Sequence, residues 1–494
     1  MFHVKKFDAA TINLPVAEII SDIKAHLIKE NTLIVHAPPG AGKSTLLPLA
    51  LMHEPWLEGK KIIMLEPRRL AARSIAARMA SLLGEEVGQT VGYRIRFDNK
   101  VSKQTRIEVV TEGILTRKLQ NDNALEDTGL VIFDEFHERS LFADTALVLS
   151  RESQQVLRPD LRIMVMSATL DMPKLSSVLE ASVLESEGKQ YPVKIEHTGI
   201  RDLKNLPHTT ARIINQAVKN DEGDILAFLP GEAEIRKCEE LLQNLPAEIS
   251  IHPLCGQLSP GQQTEAIMPH PHGKRKVVLA TSIAETSLTI EGVSVVVDSG
   301  FTRTLRFDPS TGLSRLTTVE ITKDAADQRT GRAGRLGPGK CYRLWSPADE
   351  NRMKAHRVSE IEESDLSSMM LDMALWGISD VYAFNWITPP PKSHVDQAME
   401  LLHQLGALEN NKISSHGREM AKIPCHPRIA HMLLTAREKK LLPLAADLAA
   451  VLEERDPLPR DAGIDINLRV EELRRLRKEK RENGPWKRIS KVAL

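Results

Sequence analysis

Short apolar runs rich in β-branched residues alternate with longer helical stretches from residue 31 to about 345. The runs lie at 32–37, 61–67, 106–111, 129–135, 161–169, 224–230, 275–282 and 293–299. Because they are apolar on both faces, they predict parallel strands covered by helices, which is an α/β fold. Eight strands over this length indicate two α/β domains. The segment 188–200 between the two groups of strands is the predicted linker.

The strand signal fades after about residue 346, and amphipathic helices follow. The clearest lie at 365–378, 394–408 and 428–454, where the apolar spacing predicts ordinary helix packing. The tail 471–491 carries nine Lys or Arg against four Glu. Such a run is typical either of a solvated helix face or of a nucleic-acid contact.

The overall charge excludes one class of protein. Lys plus Arg and Asp plus Glu are both 66, so a polybasic nucleic-acid binder is excluded and any such contact is local. No apolar run has the length of a membrane span, and the N-terminus has no apolar signal core. The four cysteines are too far apart in sequence for a metal pair or a disulfide framework. We therefore expect a cytoplasmic protein with free thiols and no membrane partner.

The segment APPGAGKST at 37–45 follows a predicted strand and opens a predicted helix, as a phosphate-binding P-loop does. Its glycines let the backbone approach phosphates, Lys43 reaches the β and γ oxygens, and Ser44 offers a hydroxyl to Mg²⁺. Ala37 stands where the general pattern has glycine, a position that does not require positive φ. The predicted nucleotide-binding residues are Pro39, Gly40, Ala41, Gly42, Lys43, Ser44 and Thr45.

A second candidate site follows the apolar strand GLVIF, where Asp134 and Glu135 lie at the carboxyl edge of the predicted sheet. Asp134 is suited to hold Mg²⁺, and Glu135 to orient or deprotonate an attacking water. His137 has no partner cluster that would indicate zinc.

A third candidate is QRTGRAGRLGPGK at 328–340, which presents Gln328, Arg329, Arg332 and Arg335. It is either a simple basic surface loop or a set of arginines that reaches across a cleft to a phosphoryl group.

The ordered motifs resemble those of superfamily 2 helicases of the DEAH-box/RHA class, and most of all its bacterial HrpB-type branch. They read APPGAGKS, LEPRRLAA, TEGILTR, DEFH, SAT, ILAFLPG, TSIAETSLTI and QRTGRAGR. The resemblance implies two tandem RecA-like P-loop domains, a winged-helix domain and a helical ratchet-like bundle. We expect their bounds at 1–195, 196–345, 346–410 and 411–494. Members of the class usually carry a further OB-like domain, so the end at Leu494 predicts a shortened or minimal member.

The resemblance also assigns roles in hydrolysis. Lys43 and Ser44 contact phosphate and Mg²⁺, while Asp134 and Glu135 hold the metal and activate water. His137 couples to Gln328, and Arg332 and Arg335 are arginine fingers. Arg78 stacks on the nucleotide base, but Ile267 stands where the family has Phe, which leaves base selectivity open.

Nucleic-acid contacts are implied in the same way. The residues are Arg68, Arg69, Thr111, Ser167, Thr169, Thr281 and Thr286. Hydroxyls and arginines of this kind grip phosphates without reading bases, although each hydroxyl is equally typical of a hydrogen bond at a strand end or a helix cap. The run 301–321 reads as a hairpin around DPSTG, which in the class lies at the duplex junction and otherwise is an edge hairpin.

The implied function is that of a monomeric ATP-dependent RNA helicase that uses ATP or another nucleoside triphosphate with Mg²⁺. The class moves 3′ to 5′ on a single strand. Two alternatives stay open, a DNA-directed helicase with the same motor and a nucleotide-switched remodelling factor that binds RNA without unwinding it. Contacts to the backbone do not separate RNA from DNA, and the sequence indicates no particular protein activator.

Overall fold

The computed structural model describes residues 7, 12, 14–38, 40–168, 172–188, 191–199, 202–256, 258–285, 290–308, 310–454, 456–459 and 462–478. Its chain forms two compact units. The first contains Met1–Asp308, Leu313–Ser364 and Asn385–Pro389, and the second contains Pro309–Gly312, Asp365–Phe384 and Pro390–Leu494, counting their described residues.

The first sheet forms from residues near the N-terminus. Its described strands are β1 (Thr32–His36), β2 (Lys61–Leu65), β3 (Val91–Ile95), β4 (Asp98–Lys100), β5 (Ile107–Val110), β6 (Thr128–Phe133), β7 (Arg162–Ser167) and β8 (Ser182–Glu185). They are ordered β4-β3-β5-β2-β6-β7-β1-β8, and all neighbours are parallel except β3 and β4. The carboxyl ends of its parallel strands therefore share one edge.

Helices cover both faces of this sheet. They are α1 (Ile20–Lys29), α2 (Lys43–Leu51), α3 (Arg69–Leu83), α4 (Glu112–Asn121), α5 (Leu141–Val156) and α6 (Met172–Leu179). Leu33 and Ile62 belong to a core shared with α1, α2 and α3. Ile34 and Ile63, which alternate with them along the strands, are also fully buried. Burial on both faces is what the continuous apolar runs predicted.

A second sheet and a hairpin follow. The strands are β9 (Val193–His197), β10 (Asp224–Phe228), β11 (Ile249–Leu254), β12 (Arg275–Ala280), β13 (Val293–Asp298), β14 (Phe301–Asp308), β15 (Leu313–Glu320) and β16 (Gly339–Arg343). The parallel sheet is ordered β11-β12-β10-β13-β16-β9. Its helices are α7 (Leu206–Asn220), α8 (Glu232–Leu241), α9 (Pro260–Ile267) and α10 (Lys323–Thr330). The eight predicted strands are all present, and two α/β sheets are confirmed.

The linker prediction for 188–200 is wrong in its centre, because Val193–His197 forms β9 and pairs in parallel with β16. The expected boundary between residues 195 and 196 therefore falls inside a strand of the second sheet. Strand β9 lies at the edge and is half-buried or exposed along its length, so its charged residues hid the strand signal.

The predicted hairpin at 301–321 is confirmed. Strands β14 and β15 pair antiparallel from Phe301 opposite Glu320 to Asp308 opposite Leu313.

The remainder of the chain is mainly helical, as predicted. Its elements are α11 (Pro347–Arg352), α12 (Glu360–Glu363), α13 (Ser367–Trp376), α14 (Lys392–Gln404), β17 (Leu408–Glu409), β18 (Lys412–Ile413), α15 (Ser415–Ala421), α16 (Pro427–Glu438), α17 (Leu442–Glu453) and α18 (Ile466–Lys478). Helices α11 and α12 belong to the first compact unit, which continues to Ser364. No helix of the described residues is long and apolar enough to span a bilayer.

Hydrogen bonds between charged side chains join two helices of the second unit. In α17 and α18, Asp447 accepts from Arg474 and Arg477, which belong to the basic tail. For these two arginines the structure therefore favours the helix-face interpretation of the tail.

Candidate active site

The P-loop connects β1 to the N-terminus of α2. Gly40 and Gly42 have φ of +87° and +92°, and a Cβ at Gly42 would lie 2.6 Å from Leu14 Cδ1. Glycine is therefore required at position 42 on both counts. Ala37 is fully buried and does not have a positive φ, so alanine fits there. Lys43 opens α2, where free backbone N–H groups and the helix dipole favour an anion. Pro39 lies outside the described residues.

Two carboxylates directly follow β6 and approach this lysine. Asp134 and Glu135 are 1% and 4% exposed. Lys43 Nζ lies 3.7 Å from Glu135 Oε2, and Glu135 N donates to Asp134 Oδ1 at 2.9 Å. The Ser44 side chain also hydrogen-bonds to Asp134. The P-loop and the acidic motif thus form one buried cluster at the carboxyl edge of the first sheet.

The two carboxyl groups titrate in opposite directions. Burial and the neighbouring Glu135 raise the pKa of Asp134 to about 7, although Lys43 and the Ser44 hydrogen bond oppose this. Burial also opposes ionisation of Glu135, but Lys43, His137 and Arg332 outweigh it and lower the pKa of Glu135 to about 2. Glu135 is therefore the charged member at neutral pH, and a cation would stabilise the charged form of Asp134.

The cluster fits Mg²⁺. Asp134 Oδ2 is buried and has no hydrogen-bond partner, and the Ser44 hydroxyl lies beside the same carboxylate. Mg²⁺ prefers one or two such protein oxygens and takes its other ligands from water and phosphate. Within the described residues, no group of three or more His, Cys, Asp or Glu side chains forms a metal site of another kind.

His137 lies directly beside the reactive carboxylate. Its Nδ1 is 3.4 Å from Glu135 Oε2, and both ring nitrogens are buried without a hydrogen bond. Burial lowers the pKa of His137, although the charge of Glu135 opposes this shift. Gln328, its predicted partner, is buried on α10. Their coupling stays a prediction.

Arg332 and Arg335 approach the cluster from the turn that follows α10. Burial lowers the pKa of both guanidinium groups, that of Arg335 to about 10, while the charge of Glu135 opposes the shift in each. Arg332 Nε donates to the backbone carbonyl of Glu285 at 2.9 Å. The structure therefore brings both predicted fingers into the electrostatic range of Glu135.

Arg329 differs from its neighbours and corrects the prediction that it belongs to the set reaching across a cleft. Its guanidinium donates to Glu285 Oε1 at 2.5 and 2.7 Å and to Asp298 Oδ1 at 2.8 Å. It also stacks over the ring of Phe228, 4.8 Å from the centroid. Because these partners belong to its own half of the chain, Arg329 is a core residue.

The residues predicted to stack on the base have different surroundings. Arg78 is exposed on α3, while Ile267 ends α9 and packs against buried apolar residues. Ile267 therefore packs against the apolar core at the position where the class has an aromatic residue.

The predicted nucleic-acid contacts are not uniformly accessible. Arg68 donates to the carbonyl of Ser282 at 2.5 Å and pairs with Glu138 at 2.9 Å, so its guanidinium is engaged within the protein. Arg69 is exposed. Thr169 and Thr286 lie outside the described residues.

The remaining hydroxyls are not used as caps. Thr111 and Thr281 are half-buried and precede helical turns, but neither side chain makes a cap hydrogen bond. Ser167 Oγ is buried without a hydrogen bond. The helix-cap alternative is therefore wrong for Thr111 and Thr281.

Sequence reasoning missed several charged residues around the cluster. Glu66 follows β2 at the same sheet edge, and burial, Asp134 and Glu135 raise its pKa well above the usual value. Glu285 is fully buried and contacts Arg357, which lies outside every motif. An acid inside TSIAETS was a visible signal for Glu285, whereas nothing in the sequence indicated Arg357.

Comparison with known proteins agrees with this geometry. Residues 18–178 match the DEAD/DEAH box helicase family, and residues 208–337 match the helicase conserved C-terminal domain. The chain is 46% identical over 444 residues to the ATP-dependent RNA helicase HrpB of Escherichia coli (strain K12), covering 90% of this chain and 55% of that protein. It is 35% identical over 436 residues to the ATP-dependent RNA helicase HrpA homolog of Haemophilus influenzae, covering 86% and 33%.

Solved structures give the same result. The crystal structure of the Escherichia coli DEAH/RHA helicase HrpB matches with a TM-score of 0.89 and 43% identity, covering 98% of this chain and 60% of that one. The chain thus spans about half the length of the HrpB relative. The matches support two tandem RecA-like domains followed by a helical region. This chain belongs to the DEAD/DEAH-box helicase family, in its DEAH/RHA class, and resembles the HrpB proteins of that class.

Proposed function

We propose that this chain hydrolyses ATP, or another nucleoside triphosphate, to step along single-stranded RNA in the 3′ to 5′ direction. One observation carries the proposal. Lys43 and Glu135 from the first sheet and Arg332 and Arg335 from the second converge on one buried cluster. Hydrolysis of a phosphoanhydride requires cations, a metal-holding carboxylate and a water-positioning base at one place.

The residues divide the chemistry as follows. Gly40, Gly42 and Lys43 bind the phosphates, and Asp134 with Ser44 holds Mg²⁺, which neutralises charge on the β and γ oxygens when bound. Glu135 remains ionised, so it accepts a hydrogen bond from the attacking water and orients it. Arg332 and Arg335 stabilise the charge that develops on the transferred group.

Hydrolysis then drives movement, because the arginines and the P-loop belong to different domains. Closure around the triphosphate assembles the site, and product release opens it. Arg69, Thr111 and Thr281 are our candidates for gripping RNA phosphates during this cycle, since side chains of these types contact the backbone without reading bases. Ser167 is not among them, because it is fully buried.

We adjust the proposed domain limits to the strands and the compact units. The first RecA-like domain ends before Val193, and the second begins there, because β9 pairs in its sheet. We move the proposed start of the winged-helix domain from 346 to Asp365, because the first compact unit continues to Ser364. We keep 411 as the proposed start of the ratchet-like helices. We also propose a monomer that acts in the cytoplasm.

The test is steady-state ATP hydrolysis with no polymer, with single-stranded RNA and with single-stranded DNA of the same sequence. We expect stimulation by RNA and little by DNA. Equal stimulation by DNA would favour the DNA-directed motor, and hydrolysis without stimulation would favour the remodelling factor. Strand displacement on duplexes with a 3′ or a 5′ overhang tests the direction.

A further inference from the structure

Arg357 lies in the segment 354–360, outside all of the recognised motifs, and contacts the core of the second RecA-like domain. Its Nη2 donates to Glu285 Oε2 at 2.8 Å. The Arg357 side chain is 37% exposed, whereas that of Glu285 is completely buried. A partly exposed cation thus supplies one of the donors to a buried anion.

Glu285 connects three arginines. Its Oε1 accepts from Arg329, its Oε2 accepts from Arg357, and its backbone carbonyl accepts from Arg332 Nε at 2.9 Å. Although burial opposes ionisation, Arg329 and Arg357 lower the pKa of Glu285 to about 2. The residue that orients the predicted finger Arg332 is therefore itself held from both sides.

The segment that carries Arg357 is fixed at both ends. At its start, the N–H groups of Lys323 and Asp324 donate to the carbonyls of Lys354 and Ala355 at 2.9 and 3.2 Å. These donors open α10, the helix that leads to Arg332.

At its other end the segment contacts the first RecA-like domain just after the acidic motif. Glu360 N donates to the carbonyl of Arg139 at 3.0 Å, and Leu141 N donates to Glu360 Oε2 at 3.0 Å. Ser359 Oγ donates to Asp144 Oδ2 at 3.0 Å. The segment that carries Arg357 is thus hydrogen-bonded to both RecA-like domains, and these bonds place Arg357 beside Glu285.

We infer that Arg357 is a positioning residue for nucleotide hydrolysis, which acts through Glu285 to hold Arg332 in place. Without the Arg357 guanidinium, the buried Glu285 Oε2 would lose the hydrogen-bond donor that the segment 354–360 supplies. A buried carboxylate that has lost a donor must rotate or admit water. The backbone carbonyl of Glu285, which accepts from Arg332, would shift with it. The inference rests on the proposed role of Arg332 in hydrolysis.

The test compares Arg357→Gln, Arg357→Lys and the wild-type chain in hydrolysis of MgATP. A displacement of about 1 Å at a reacting group reduces rates by about 10²-fold, so we expect Arg357→Gln to lower kcat by about 10- to 100-fold. The affinity for a fluorescent ATP analogue should change by less than about twofold, because the side chain of Arg357 donates to Glu285, which is not part of the P-loop. Arg357→Lys should recover much of the loss, since it restores a cation.

Arg73→Gln is the matched control, because Arg73 is 36% exposed and pairs with Asp98 on the first domain, away from the cluster. We expect its kcat to equal that of the wild type. An equal loss of kcat in Arg73→Gln and Arg357→Gln would contradict a specific positioning role. So would an unchanged kcat in Arg357→Gln.

Hydrogen exchange without nucleotide separates this inference from the proposed function. We expect faster exchange of the amides of 329–335 in Arg357→Gln and not in Arg73→Gln. If the wild type hydrolyses no nucleotide, the proposed function fails, yet this readout still supports or overturns the link between Arg357 and the Arg332 turn. Unchanged exchange at 329–335 would overturn that link even if the proposed function holds.

Discussion

Replacing Glu135 by glutamine should separate nucleotide binding from hydrolysis. The substitution preserves the volume of a side chain that is 4% exposed, so no cavity forms. It removes the anion 3.7 Å from Lys43 Nζ and the charge that raises the pKa of Asp134. The pKa of Asp134 should therefore fall, which keeps the metal-holding carboxylate ionised. Nucleotide binding should be retained or strengthened.

Turnover of Glu135→Gln should fall far more than its binding changes. A positioned general base contributes about 10²- to 10⁴-fold, which corresponds to about 3 to 5 kcal/mol of transition-state stabilisation. Single-turnover hydrolysis of pre-bound ATP measures this step, and equilibrium titration with a fluorescent analogue measures affinity.

Glu108→Gln provides a control for loss of a buried carboxylate, because Glu108 on β5 is 1% exposed and pairs with Arg94 of β3 and Lys118 of α4. Its single-turnover rate should match that of the wild type. If Glu135→Gln hydrolysed ATP within about threefold of the wild-type rate, where at least 10²-fold is expected, the water-positioning role would be refuted.

Two further predictions concern stability. Arg329→Gln leaves Glu285 and Asp298 buried without their shared cation, so urea unfolding should show a loss of about 3 to 5 kcal/mol; a loss below about 1 kcal/mol, the median for exposed pairs, would contradict a core role. Burial and neighbouring carboxylates raise the pKa of Glu112 to about 8, while the Ser140 hydroxyl donates to it. Folding therefore takes up a proton between about pH 4.5 and 8, and unfolding free energy should fall as pH rises through this window. Glu112→Gln should flatten that dependence by at most about 1.4 kcal/mol per pH unit, and an unchanged slope would contradict the raised pKa.

The central strands could be predicted from the sequence because burial on both faces produces continuous apolar runs. Edge and half-exposed strands could not. Strand β9 includes Lys194 and Glu196, and β11 is half-buried along most of its length, so neither shows an uninterrupted apolar signal. The predicted ends of several central strands were too late for a related reason. The residues after them, such as Asp134 and Glu135, are site residues at the sheet edge rather than strand residues.

The P-loop and the acidic motif were predictable because the residues within each motif are contiguous in sequence and local geometry fixes them. A P-loop glycine needs positive φ, and a carboxylate that follows a buried strand reaches the sheet edge. The link between Glu285 and Arg357 was not predictable, since the two residues are separated along the chain and only the path of 354–360 joins them.

Basic motif residues that look alike in the sequence have different roles because each is defined by its partner. Arg68 and Arg329 donate to carboxylates and carbonyls within the fold, which is how a chain of zero net charge accommodates buried guanidinium groups. Arg332 and Arg335 instead lie within the electrostatic range of Glu135, the carboxylate beside the P-loop lysine. A triphosphate bound there would add negative charge close to those two arginines. We therefore expect the attraction of Arg332 and Arg335 to a bound nucleotide to depend on its phosphates, and loss of the γ-phosphate to weaken that attraction.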